Sequence, residues 1–246
     1  MKISVITAVY NRADTVGHAI SSVQSQTHGD IEHLIQDGGS TDGTLEEISR
    51  LANSATMLYS ESDNGLYEAV NRGILRSTGD IIGLMHSDDF YANDYVLEKI
   101  ANAMANPSVQ GVYGDLQYVS TSDPDRVIRN WKAGTYALHR LRRGWMPPHP
   151  TLYLRREVFE KWGLYDTEYR IAADYDAVLR YLAHGRISLA YVQEVLVKMR
   201  VGGESNRSAG RIIEKSREDY RALRSNGVGG LRALAMKNLS KLGQFL

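Results

Sequence analysis

Asp80-Ile81-Ile82-Gly83-Leu84-Met85-His86-Ser87-Asp88-Asp89 is the stretch on which the fold turns. Ile81 to Met85 form an apolar run suited to a buried strand of a parallel sheet. The run ends in two adjacent carboxylates, Asp88 and Asp89. In open α/β sheets, ligands sit outside the carboxyl ends of the strands, so a site is expected there. Two acids at that place suit a hard divalent cation, which takes one or two carboxylates and completes its shell with substrate phosphates. They equally suit the cap of a helix beginning near Asn93. These residues alone leave both readings open.

Working outward, the first 110 residues alternate strand and helix signals. Ile3 to Val9 reads as a strand. Thr15 to Gln26 reads as an amphipathic helix, with Val16, Ile20 and Val23 at helical spacing. Glu32 to Gln36, Thr56 to Ser60 and the run at Ile81 are further strands, with helices at Thr44 to Ala52 and Leu66 to Ser77 between them. Short loops between such elements predict a doubly wound, mostly parallel sheet with flanking helices, an α/β fold.

Beyond residue 110 the pattern changes. Val112 to Val119 is a strand, Ser120 to Arg126 a polar turn, and residues 131 to 150 have loop composition. Thr151 to Tyr153 and Val192 to Arg200 are strand candidates. Helices are expected at Arg156 to Trp162, Asp174 to His184, Ser208 to Ser225 and Gly230 to Leu246, the last two forming a C-terminal helical extension. The organisation expected is a nucleotide-sugar-binding half (1–110), an acceptor-binding half (111–204) and basic amphipathic helices (205–246).

The 246 residues can bury a sizeable core. The absence of cysteine excludes disulfides and thiolate metal sites. No apolar run reaches the ~20 residues of a membrane-spanning helix, and the opening is too short in its apolar run for a signal peptide. A cytoplasmic protein is expected. Net charge is zero, yet ten Lys and Arg stand against four Asp and Glu from Arg200 onward. That asymmetry points to an anionic partner for the tail.

Five motifs in order carry a family resemblance. They are Thr7-Ala8-Val9-Tyr10-Asn11-Arg12, Gln36-Asp37-Gly38-Gly39-Ser40-Thr41-Asp42-Gly43-Thr44, Glu61 to Ile74, Ser87-Asp88-Asp89, and Ala173-Asp174-Tyr175-Asp176 entering a helix. With them the chain resembles a family 2 glycosyltransferase of the GT-A fold. The Ser60-Glu61-Ser62-Asp63-Asn64-Gly65-Leu66-Tyr67 and Gly202-Gly203-Glu204-Ser205 stretches are similar to bacterial enzymes that build surface polysaccharides such as colanic acid.

The resemblance implies an inverting transferase that moves one sugar from a nucleotide-diphosphate sugar, of UDP or GDP type, with Mn or Mg. It implies nucleotide contacts at Ala8, Tyr10, Asn11, Arg12, Asp37, Asp63, Asn71, Arg72, Ser87 and Asp88. Asp89, with Asp88, is implied as metal ligand, and Asp174 as the base that takes the acceptor's proton. Each has a plainer alternative: Asp37 can satisfy its own loop amides, Tyr10 can be core, Arg72 can be surface, and Asp174 can cap its helix. Asp42 and Asp176 read as structural.

His149, Arg200 and the cluster Arg140, Arg142 and Arg143 are candidates for acceptor or phosphate binding, since guanidinium groups suit phosphate. Leu231, Leu234, Ala235, Leu239, Leu242 and Phe245 or Leu246 share one face of the last helix, flanked by Arg232, Lys237 and Lys241. Such a helix lies on an anionic membrane, on its own domain or on a second subunit. The implied acceptor is a lipid-linked saccharide, which would place the protein on the inner face of the cell membrane. No nucleic-acid partner is expected. Two rivals stand beside this reading: a sugar-nucleotide pyrophosphorylase, and a noncatalytic domain that binds nucleotide or glycan.

Overall fold

A computed structural model describes residues 1–201 and 209–240. The Gly202-Gly203-Glu204-Ser205 motif and the expected helical positions Lys241, Leu242, Phe245 and Leu246 lie outside the described residues. The first half alternates as expected: β1 (Ile3–Val9), α1 (Ala13–Gln24), β2 (Ile31–Asp37), α2 (Thr44–Leu51), β3 (Thr56–Ser60), α3 (Leu66–Arg76) and β4 (Ile81–Leu84). These strands pair in parallel in the order β3-β2-β1-β4. All four residues of β4 are buried, as a strand covered on both faces requires. α1 packs through Val16, Ala19, Ile20 and Val23. α3 approaches the sheet so closely that a Cβ on Gly73 would overlap the Ile6 side chain.

The second half adds β5 (Phe90–Tyr91), α4 (Val96–Ala103), β6 (Gly111–Val119), β7 (Val127–Trp131), α5 (Leu138–Leu141) and a 3-10 turn (His149–Thr151). β8 (Tyr153–Arg155), α6 (Arg156–Trp162), α7 (Ala173–Leu179), a π turn (Arg180–His184) and β9 (Leu189–Arg200) follow. The strand order is completed as β4-β8-β6-β9-β5, with β7 beside β6. Parallel pairing runs through the first half and recurs in the second between β6 and β9. β8 is antiparallel to both β4 and β6. The chain leaves β6 at the carboxyl end of the sheet and stays there through residues 120–152, so β8 runs back without a crossover. That route holds the long loop above the strand ends.

α8 (Ala209–Ser225) and α9 (Leu231–Ser240) close the described chain. α8 packs on α7, burying Ala222 and Leu223, and Asn226 Nδ2 donates to Asp176 Oδ1 at 2.8 Å. On the expected apolar face of α9, Leu231 (73%) and Leu239 (63%) are exposed, while Ala233 and Lys237 are buried on the side that packs inward. Lys237 has a partner there, since its Nζ pairs with Asp219 Oδ1 at 2.6 Å. Among the described residues no helix is long and apolar enough to cross a membrane.

Candidate active site

Because β1, β2 and β4 run in parallel, their carboxyl ends share one edge, and a cleft of about 1890 Å³ opens there. β1 delivers Ala8 and the turn Tyr10-Asn11-Arg12 to its wall. Tyr10 is 58% exposed, so it is not a core residue. Asn11 has a positive φ of 50° and is tied on both sides: its N–H donates to Ser40 Oγ at 2.8 Å, and its Oδ1 accepts from the Thr41 N–H at 2.9 Å. The turn after β4 contributes Ser87, Asp88 and Asp89, and the loop before α3 contributes Asp63. His149, Arg140 and Asp174 line the same cleft.

Asp89 is 1% exposed. Its Oδ1 accepts from the Arg200 N–H at 3.1 Å, while its Oδ2 is buried with no hydrogen-bond partner. Burial, then the neighbouring Asp88, pushes its carboxyl well above the usual range, with Arg200 opposing. A buried acceptor oxygen without a donor needs an explanation. The paired carboxylates fit a divalent cation whose remaining ligands come from a bound diphosphate. Among the described residues no group of three or more His, Cys, Asp or Glu could hold a metal without such help.

Asp174 is the second residue of α7 and not its cap, which is Ala172. Asp174 Oδ1 accepts from the Tyr175 N–H at 2.8 Å and lies 3.3 Å from the Tyr67 hydroxyl. His86 feels both carboxylates: burial lowers its pKa, and Asp88 and Asp174 partly offset this. His149 is pushed down to about 4 by burial, with Asp174 acting against and His86 with that shift. Its Nε2 lies 2.9 Å from the Tyr165 hydroxyl.

Several expected site residues do not line the cleft. Asp37 is fully buried, and its carboxylate accepts from the Gly39 N–H (2.9 Å), the Ser40 N–H (3.1 Å) and Ser60 Oγ (2.7 Å). It therefore shapes the loop that receives Asn11. Asn71 exchanges two bonds with the Tyr165 backbone, at 2.8 and 3.0 Å. Arg72 pairs with Glu68 at 2.5 Å and donates to the Ser62 carbonyl at 3.0 Å. Arg200 stands behind the Asp88–Asp89 turn, its guanidinium bonded to the Asp88 carbonyl and to His18. Arg142 and Arg143 are exposed on the turn after α5, away from the cleft wall.

The cleft also takes in residues of the long loop and of the C-terminal helices to which no site role had been assigned. Trp131 and Trp145 lie in its wall, as do Glu214, Lys215, Asp219 and Lys237 of the C-terminal helices. The two tryptophans carried a signal, since large aromatics in an irregular loop often meet ligands. The helix residues carried none that periodicity could report.

Comparison with known proteins agrees with this geometry. Residues 4–163 match the family described as Glycosyl transferase family 2. A PGL/p-HBAD biosynthesis glycosyltransferase of Mycobacterium tuberculosis is 29% identical over 208 residues, covering 82% of this chain and 78% of that protein. An uncharacterized glycosyltransferase of Nostoc sp. is 30% identical over 217 residues, covering 84% of this chain and 66% of that one. Among solved structures, a mannosyltransferase from Pyrobaculum calidifontis in complex with GDP-Man and Mn2+ superposes with a TM-score of 0.69 at 18% identity, covering 99% of this chain and 72% of that chain. Staphylococcus aureus TarS gives 0.67 at 17% identity, covering 93% of this chain, which spans 39% of the TarS chain. The family match decides among the three readings that the sequence opened. The chain belongs to glycosyl transferase family 2 and is a glycosyltransferase with the GT-A fold.

Proposed function

We propose that the protein transfers one sugar, with inversion, from a UDP- or GDP-linked donor to a lipid-linked saccharide during assembly of a bacterial surface glycan. The observation that carries this reading is one cleft taking in the Asp88–Asp89 pair and Asp174 together. The donor nucleoside lies against Ala8, Tyr10, Asn11, Arg12, Asp63 and Ser87, with Asp37 supporting that rim from behind. Residues 1–110 serve the donor, 111–204 the acceptor, and 205–246 the membrane.

Asp88 and Asp89 would hold a Mn or Mg ion, which when bound stabilises the negative charge growing on the nucleoside diphosphate. Asp174 Oδ1 is engaged by Tyr175 and Tyr67, so Oδ2 is the atom that accepts the proton. The acceptor hydroxyl oxygen then bonds to the anomeric carbon as the bond to the diphosphate oxygen breaks. The freed electron pair stays on that oxygen. His149 and Arg140 face the cleft where an acceptor would lie.

The lipid-linked acceptor is supported by the tail. Ile212, Ile213, Tyr220, Leu231 and Leu234 form an exposed apolar hollow on α8 and α9. Arg217, Arg224 and Arg232 lie on the same two helices, a combination that suits an anionic bilayer. Vesicles of phosphatidylglycerol should bind the protein and lose it on Ile212→Glu with Ile213→Glu. Equal binding by both forms would remove the membrane from the reading.

A thermal-shift panel with UDP, GDP, dTDP and CMP, each with and without Mn, tests the donor assignment. Ligand at one hundred times its dissociation constant stabilises by about 2.7 kcal/mol. One diphosphate that stabilises only with metal supports the reading. Asp174→Asn should keep that shift and lose sugar transfer; unimpaired transfer would overturn the role of Asp174.

A further inference from the structure

The Ile171 peptide is held from both sides by helices far apart in the chain. Its N–H donates to Glu218 Oε2 of α8 at 2.8 Å, and its carbonyl accepts from the Tyr67 hydroxyl of α3 at 2.8 Å. The same Glu218 carboxylate accepts from the N–H groups of Arg170 at 2.9 Å and Ala172 at 2.8 Å. Three successive backbone donors thus converge on one side chain.

The geometry has a clear physical cause. The first amides of a helix, and those leading into it, lack intrahelical acceptors, and a carboxylate there also meets the positive end of the helix dipole. α7 cannot supply that acceptor itself, since Ala172 stands at its cap position with no side-chain hydrogen bond. Glu218 supplies it from α8. Asp174 follows Ala172 by one intervening residue, so the backbone that aims Asp174 is pinned by the C-terminal helix. Glu218 does not line the cleft, although Glu214, Lys215 and Asp219 on the same helix do. Glu218 thus stands outside the cleft wall, while Arg170 and Ile171, whose amides it holds, lie in it.

We infer that Glu218 is a positioning residue for sugar transfer, acting through the amides of residues 170–172 to set the place of Asp174. The inference rests on the reading of Asp174 as the base. It makes α8 a working part of the catalytic site and not only a tail. The matched family region ends at residue 163, so the base and its clamp both lie beyond it. Misplacing a catalytic group by about 1 Å costs on the order of a hundredfold in rate, which is the scale on which a lost clamp acts.

The test compares Glu218→Ala, Glu218→Gln and Asp174→Asn in the full chain. Turnover is read as nucleoside diphosphate released from UDP-N-acetylglucosamine and GDP-mannose with Mn, with a bacterial membrane lipid extract as acceptor. Glu218→Ala should lower kcat by about tenfold or more while the donor KM moves less than about twofold. Glu218→Gln keeps one acceptor oxygen, enough for the Ile171 and Ala172 amides but not for Arg170 as well, and should recover a clear part of the loss. A Glu218→Ala protein with unchanged kcat overturns the inference. So does one that loses donor affinity and turnover together and is not rescued by glutamine, which is the signature of general support.

If Asp174→Asn abolishes turnover and Glu218→Ala does not, the inference alone fails. If Asp174→Asn turns over normally, the base assignment fails and takes the inference with it. Should the alanine variant not fold, Glu218→Asp carries the same test, since its shorter side chain retracts the carboxylate. It must lower kcat without weakening the donor.

Discussion

Tyr67 Oη lies 3.3 Å from Asp174 Oδ1 and, with the same proton, donates to the Ile171 carbonyl at 2.8 Å. One phenol thus touches both the proposed base and the backbone that carries it. Burial and the Asp174 charge push its pKa well above the ordinary value, so it stays a neutral donor. Tyr67→Phe keeps the ring and removes the hydroxyl. It should cost about 1–3 kcal/mol of stability, the price of a buried carbonyl left without its donor. Turnover should fall by roughly tenfold, with the nucleotide thermal shift unchanged. Urea denaturation and nucleoside diphosphate release measure the two effects separately.

The Asp89 carboxylate gives a case where stability and activity should part. Its Oδ2 is buried without a partner, and burial opposes its charge. Asp89→Asn removes the charge at constant volume. The variant without metal should melt at the same temperature as the parent or higher, as expected where a strained functional group is neutralised. It should lose the metal-dependent part of the nucleotide shift. A variant that melts lower and still responds to Mn would show that Asp89 serves only the turn.

How much of this could be read in advance depended on distance along the chain. The alternation of β1 to β4 with α1 to α3 follows from local periodicity, and the strand ends then place Tyr10, Asp63, Asp88 and Asp89 on one edge. Whether a polar side chain faces that edge or its own loop is a matter of partners. Asp37 has local amides at Gly39 and Ser40, which could be weighed, but Ser60 on β3 completes its shell. Asn71 finds the Tyr165 backbone, and Glu218 finds residues 170–172. Hydrophobic phase reports which side of a helix is buried, not which distant carbonyl it meets. The same limit holds for α9, whose leucines marked an apolar face but gave no sign of the inward Lys237–Asp219 pair.

Gly83 tests the packing that delivers the Asp88–Asp89 turn. A Cβ at this position would overlap the ring of Tyr153, whose hydroxyl is bonded to Tyr91 and whose side chain is fully buried. The ring cannot swing away without breaking that bond. Gly83→Ala should therefore destabilise by roughly 3 kcal/mol, at the upper end of overpacking costs. Chemical denaturation should show a lower midpoint with an unchanged slope.

Acid lability should begin near the ordinary pKa of histidine. His33 is buried beside Thr7 Oγ1 at 2.9 Å, its Nδ1 has no partner, and burial lowers its pKa from 6.5 to about 4. His149 is lowered to the same value. Between these limits the unfolded chain binds more protons, so stability is fully present above pH 6.5 and is lost as pH falls toward 4. Each histidine accounts for roughly 3 kcal/mol across that window. Below pH 4.5 Glu32 adds to the loss: burial raises its pKa, but Lys2, Ser4 and Thr78 outweigh this and hold it at about 2. His33→Leu should flatten the pH dependence of the urea midpoint between 6.5 and 4 by about one proton's share. A slope identical to the parent's would mean that His33 protonates freely in the folded state.

Lys237 and Asp219 form a buried pair, 6% and 2% exposed at their side chains, with the Lys237 ammonium 3.2 Å from the centroid of the Tyr175 ring. Tyr175 neighbours Asp174, so the pair joins α9 to the base through α8 and α7. Removing Lys237 leaves the Asp219 carboxylate buried without its ion-pair partner, which costs about 3–5 kcal/mol. Lys237→Met should show that full loss in urea denaturation. Lys237→Met with Asp219→Leu removes both charges and should recover most of it, because a well-packed apolar pair replaces a buried ion pair at little net cost. If the single and double variants are equally unstable, α9 is held by shape and the charges are incidental. If the double variant recovers stability but not turnover, the pair's use lies in the cleft that it lines.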